Sequence, residues 1–130
     1  METNLTHVVA ELTALYAQYE QALMDNDIAT MTTLFWDAPQ VVRLGAGENL
    51  YGSEEIRAFR QHRPTVNLAR EILRQDVVTF GETCGSVTLE FRRVINGTAR
   101  LGRQSQMWVK FPEFGWKIVS AHVSLLPQDV

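Results

Sequence analysis

The chain has little of what staples, inserts or metallates a protein. Cys84 is the single cysteine in 130 residues, so no intrachain disulfide can form, and packing alone must hold the fold. His7, His62 and His122 share no ligand spacing on a common helix face, and no cysteine and histidine cluster exists; the sequence therefore predicts no metal. No glycine-rich phosphate loop is present either. Gly45-Ala46-Gly47 follows a strand-like run but leads into another extended segment rather than a helix, so no nucleotide cofactor is expected. The opening METNLTHVVAELTALY lacks a basic start and an apolar run, which argues against export or membrane insertion, and the single cysteine fits a reducing cytoplasm. A net charge of -3 disfavours a broad nucleic-acid or anionic-membrane footprint.

What is present fits one domain over residues 1–130. With 45% hydrophobic and 21% charged residues, the chain can bury a core, which excludes disorder. Of its 12 basic residues only Lys110 and Lys117 are lysine, and arginine is the side chain that grips carboxylates bidentately. That surplus points to a small anionic partner.

Leu5, Val8, Val9, Leu12, Leu15, Tyr16, Tyr19 and Leu23 recur at helical spacing and predict a helix over 5–25. Asp25-Asn26-Asp27 breaks it and caps a second helix over 28–35. Residues 40–44 read as a short strand and 49–52 as an extended segment. Ser53 is the expected cap of a third helix that Pro64 stops. Strand periodicity then covers 67–80, 83–95, 98–111 and 116–125. Asn96-Gly97 carries the sequence of a type I′ hairpin and sets Phe91 opposite Gly102, Leu89 opposite Gln104 and Val87 opposite Gln106. Counting across the next loop from Phe111 opposite Trp116 sets Gln104 against Val123 and Gln106 against Ala121. One sheet face then collects Val87, Leu89, Phe91, Gln104, Gln106, Trp108, Val119, Ala121, Val123 and Leu125. The other collects Thr88, Glu90, Arg103, Ser105, Met107, Ser120, His122 and Ser124, a mixture suited to solvent or a second subunit. The expected architecture is α+β: three helices from the first half, wrapped by a cone-shaped, curved antiparallel sheet.

Several side chains stand out against this pattern. Tyr19 lies on the apolar stripe of the first helix, so its hydroxyl is either an inward acid, base or anchor or a satisfied core phenol. Tyr16, further round the same side, reads as packing. Arg43 interrupts the apolar run Val41, Val42 and Leu44. If it faces inward it requires an anion, either Glu48, Glu20 or Asp37 as an ion pair or a ligand carboxylate. Gln104 and Gln106 are the polar members of the apolar sheet face; they line a pocket or bond to each other or to Tyr19. Trp36 could wall the pocket mouth. Arg57, Arg60, Arg63, Arg70 and Arg74 form a basic sector expected to be solvated or paired with Glu54, Glu55 and Glu71, with Arg70 able to reach the pocket.

Leu34-Phe35-Trp36, Val42-Arg43-Leu44-Gly45 leading into Glu48-Asn49-Leu50-Tyr51-Gly52, Ile56-Arg57-Ala58-Phe59-Arg60, Gly102-Arg103-Gln104-Ser105-Gln106 with Trp108, and Gly115-Trp116 leading to Ala121-His122-Val123-Ser124 together resemble the AtzH-like, or HpxZ-like, branch of the nuclear-transport-factor-2-like domains. The resemblance runs nearly end to end. It implies a SnoaL-like cone and a place in the breakdown of ureides and carboxylated ureas, such as oxalurate and the products of cyanuric acid, beside an amidase-signature hydrolase. It also implies cleavage of 1,3-dicarboxyurea toward allophanate by a first-helix tyrosine and a first-strand arginine, positions that Tyr19 and Arg43 match. On this reading the protein is a homodimer formed through the outer sheet face. Arg43 clamps a carboxylate, Tyr19 moves a proton, Gln104 and Gln106 orient urea amides, Arg70 assists at the mouth and Trp36 limits water. The rival expectation is a non-catalytic binding or assembly module, since one fold hosts both.

Overall fold

A computed structural model of the protein describes residues 1–64 and 68–128. The chain opens with helix α1, Thr6–Met24, and the shorter α2, Ile28–Leu34. The Asp27 carboxylate accepts from the Thr30 backbone N–H at 3.1 Å and so starts α2, as the sequence predicts. Strands β1, Val42–Leu44, and β2, Asn49–Tyr51, precede helix α3, Ser53–His62. The cap of α3 is Gly52 at φ 88° rather than Ser53. Ser53 is already helical, and its hydroxyl donates to Asp37 at 2.8 Å. A positive φ at this position explains the glycine, because a Cβ there would strain the backbone.

The second half is a meander of β3, Glu71–Phe80, β4, Cys84–Ile95, β5, Thr98–Phe111, and β6, Gly115–Leu125. Of the strand predicted over 67–80, residue 67 lies outside the described residues and 68–70 are not strand. The six strands form one curved, unclosed sheet in the order β2-β1-β6-β5-β4-β3. Every pair is antiparallel except β1 with β6, which run parallel. That parallel pairing joins strands more than 70 residues apart, and no local pattern announces it.

Asn96 at φ 51° and Gly97 at φ 79° make the expected hairpin, and the β4–β5 register follows it over the whole ladder. Gln104 meets Val123 and Gln106 meets Ala121, also as expected. Closer to the next loop the register shifts between Met107 and Trp108, so Phe111 pairs with Gly115, not Trp116. This bulge leaves Val119 half-buried and turns Trp116 and Ile118 inward.

The helices cover the concave sheet face. Val8, Leu12, Tyr16, Tyr19 and Ala22 form the buried stripe of α1 and pack with Val87, Leu89, Trp108 and Ile118. Each such aliphatic side chain contributes about 1.5–3 kcal/mol when fully buried. Gly85 allows the close approach, since a Cβ on it would overlap Leu12. No helix among the described residues is long and apolar enough to cross a membrane.

Candidate functional site

The sheet ladders decide which way Arg43 points. On adjacent strands Leu50, Arg43, Ala121, Gln106 and Val87 stand in one row, and Leu50, Ala121, Gln106 and Val87 are buried on the concave face. Arg43 therefore projects inward, with 11% of its side chain exposed. Its Nη1 donates to Glu48 Oε1 at 2.9 Å, the first of the ion pairs expected for it. Gly45 makes room for that carboxylate, because a Cβ there would overlap Glu48.

Tyr19 arrives from α1, 3% exposed, with its ring 6.1 Å from Phe35 and 5.9 Å from Tyr16. Beside it lies Arg60, assigned from sequence to a solvated sector but only 3% exposed. Helical spacing explains the correction: Arg60 follows Ile56 by four residues and shares its buried face. The Arg60 guanidinium sits 4.5 Å above the Phe35 ring, and neither terminal nitrogen has a hydrogen-bond partner among the described residues. Burial lowers its pKa; the nearby Tyr19 phenol opposes that shift, and the Arg43 and Arg63 charges add to it. Arg63, at the end of α3, reaches Asn26 Oδ1 at 3.3 Å. Its pKa is lowered by burial and by Arg43, against Tyr19 and Glu48. Arg43 and Arg63 both flank Phe59, at 5.7 and 5.8 Å from its ring centre. One phenol, three guanidiniums and the Glu48 carboxylate thus converge at the inner ends of α1, α3 and β1.

The other sequence candidates divide. Arg70 and Gln104 belong to a closed network around Tyr16, not to this cluster. Arg70 grips Glu20 through Nε at 2.9 Å and Nη2 at 2.8 Å, and Nη2 also donates to Gln104 Oε1 at 2.9 Å. Gln104 Nε2 donates to the Tyr16 hydroxyl at 2.9 Å, which donates to Glu20 Oε1 at 2.8 Å. Tyr16 is thus more than packing, and burial followed by the Glu20 charge pushes its pKa up. For Arg70, burial works against the charge, but Glu20 and the two phenols outweigh it and raise the pKa. Its guanidinium also lies 4.4 Å over Phe91, whose ring crosses Gly102 where a Cβ would clash. These bonds tie Arg70 and Gln104 to Glu20 and Tyr16.

Gln106 keeps one valence open: Oε1 accepts from Trp108 Nε1 at 3.0 Å, while the buried Nε2 has no partner among the described residues. Trp36 stacks on Phe111 at 5.5 Å instead of walling the Tyr19 cluster, and its predecessor Phe35 is the residue that turns inward. Phe35 and Arg60 also line a cavity of about 470 Å³ between α2, α3 and β6, with Arg57 and Lys117 at its edge. Among the described residues no group of three or more histidine, cysteine or acidic side chains could hold a metal.

A model of the AtzH-like family matches residues 1–129. A protein of unknown function from the DUF3225 family of Pectobacterium atrosepticum is similar at 48% identity, with a TM-score of 0.91, over 96% of this chain and 95% of that one. A cystatin-like fold protein from Burkholderia xenovorans is similar at 43% identity and a TM-score of 0.90, over 99% of both chains. A nuclear transport factor 2-like protein from Salmonella enterica, at 21% identity and a TM-score of 0.79 over 96% and 95%, shares the fold. No curated protein matches the chain. With the family model spanning the described helices, the sheet and the Tyr19 cluster alike, the chain belongs to the AtzH-like family and has the nuclear-transport-factor-2-like cone fold.

Proposed function

We propose that the protein removes a carboxylate from a small N-carboxylated urea, with 1,3-dicarboxyurea passing to allophanate as the type reaction. The observation that carries this reading is the buried Tyr19 phenol beside Arg60 and Arg63, two guanidiniums that also face the inward-pointing Arg43. Arg43 holds the departing carboxylate and keeps it anionic. The C–N bond of that carbamate breaks, its electron pair stays on nitrogen, and Tyr19 supplies the proton as carbon dioxide leaves. Arg60 steadies the phenolate left behind until solvent returns the proton. Gln106, two strands from Arg43 and about 10 Å away across the small Ala121, has its open Nε2 available to a urea carbonyl.

The test is carbon dioxide release from freshly generated 1,3-dicarboxyurea, compared among wild type, Tyr19→Phe and a protein-free blank at one pH. Acceleration by wild type and a drop of about 100-fold in the folded variant support the reading. Equal rates in all three overturn it.

A second role is compatible with the first and rests on the outer sheet face, where Leu101 and Met107 are 47% and 38% exposed among polar neighbours. On this reading that face pairs two copies of the chain, and an amidase-signature hydrolase consumes the product. Sedimentation of wild type and Met107→Glu tests the dimer. The half-buried Cys84, without a disulfide partner, suits a cytoplasmic location.

A further inference from the structure

We propose that Arg60, backed by Arg63, holds the second carboxylate of a dianionic ligand, so that the site prefers a dicarboxylate over the monoanion left after reaction. The inference rests on the ureide reading above and extends it from one anionic group to two. Arg43 already has a carboxylate, Glu48, at 2.9 Å. Arg60 and Arg63 have no ion pair among the described residues, and Arg60 keeps both terminal nitrogens buried and unpartnered beside Tyr19.

An unpaired buried guanidinium is costly, and neither the Phe35 face nor the Tyr19 phenol supplies the two strong acceptors that its planar donors fit. The neighbouring network shows what a satisfied arginine looks like in this protein. Arg70, with 5% of its side chain exposed, has a bidentate carboxylate and an amide oxygen. With Arg43 balanced by Glu48, two positive charges remain uncompensated in the cluster. A dianion neutralises both. Loss of carbon dioxide from the carboxylate at Arg43 turns that dianion into a monoanion held at Arg60 alone, which favours release of product.

Calorimetric titration of the intact protein with glutarate and with monomethyl glutarate tests this, because the two probes match in length and differ by one charge. Wild type is expected to bind glutarate about 10- to 100-fold more tightly, the range of one charged hydrogen-bonded contact. Arg60→Met is expected to abolish the preference while retaining ester binding at Arg43. It should also raise the melting temperature, because a buried unpaired charge is gone. Arg60→Lys, which keeps the charge and loses the planar fork, should retain an intermediate preference. Equal affinity of wild type for the two probes, binding of neither, or an undiminished preference in Arg60→Met would overturn the assignment. If the glutarate preference follows Arg60 but 1,3-dicarboxyurea is not turned over, the dianion site stands and the proposed reaction falls.

Discussion

Two tyrosines one helical turn apart on α1 each meet arginines from later in the chain, and the two meetings end differently. Around Tyr16 the network closes: the phenol, Glu20, Arg70 and Gln104 exchange hydrogen bonds of 2.8–3.3 Å, and Arg70 has 5% of its side chain exposed. Around Tyr19, burial is as deep but the account is open: among the described residues neither terminal nitrogen of Arg60 nor the amide nitrogen of Gln106 has a hydrogen-bond partner. Buried polar groups in folded proteins are nearly always hydrogen-bonded, to protein or to ordered water. The closed cluster therefore reads as part of the scaffold, and the open one as the place where an external group completes the chemistry.

The sharpest way to break this contrast is Arg70→Met. Leaving Glu20 buried without its cation should cost about 3–5 kcal/mol, read as a lower urea midpoint. A cost under about 1 kcal/mol would mean that the Tyr16 network is not scaffold. Tyr16→Phe should cost about 1–2 kcal/mol, because Gln104 and Glu20 each lose a partner. The same variant has a pH signature. Since the folded pKa of Tyr16 is raised, the unfolded chain ionises first as pH climbs past the ordinary tyrosine value near 10. Its stabilisation is complete below that value and is lost above it, so Tyr16→Phe should flatten the alkaline limb of a melting-temperature profile.

Smaller effects should sharpen the other side. Glu48→Gln removes the carboxylate balancing Arg43. With that pair partly exposed, stability should change by less than about 1 kcal/mol, while affinity for glutarate rises by up to about fivefold. A fall in affinity would argue that Glu48 positions Arg43 rather than competes for it. The least effect belongs to Glu11, which lies in neither cluster. Lys110 and Trp116 Nε1 bind its carboxylate and lower its pKa. Its contribution is present above the ordinary carboxylate value and is lost as pH falls through the lowered one, so Glu11→Gln should soften only the acid limb of the melting profile.

The parts of the fold that follow from neighbouring residues were legible in the chain. Helical spacing placed α1, Asp27 capped α2, and Asn96-Gly97 set the β4–β5 ladder and with it the inward stations of Gln104 and Gln106. Tyr19 and Arg43 stood out because a polar tip on an apolar stripe is conspicuous. Arg60 was equally conspicuous by spacing, four residues after Ile56, but a run of arginines on a polar helix reads as solvated surface. Only the packing of α3 against Phe35 shows otherwise. The bulge after Met107 was not legible, since one extra residue in a strand has no periodicity of its own.

The elements, the hairpin register and the short roster of side chains capable of chemistry follow from local order along the chain, because they depend on torsional preference and on periods of two and 3.6 residues. The long-range packing sets β1 parallel to β6, which turns Arg43 inward. It also ties Arg70 and Gln104 to Tyr16 and Glu20, and buries the terminal nitrogens of Arg60 with no hydrogen-bond partner among the described residues. Pairing and burial are set by which distant surfaces meet, and whether a buried charge is satisfied depends on every group that arrives beside it.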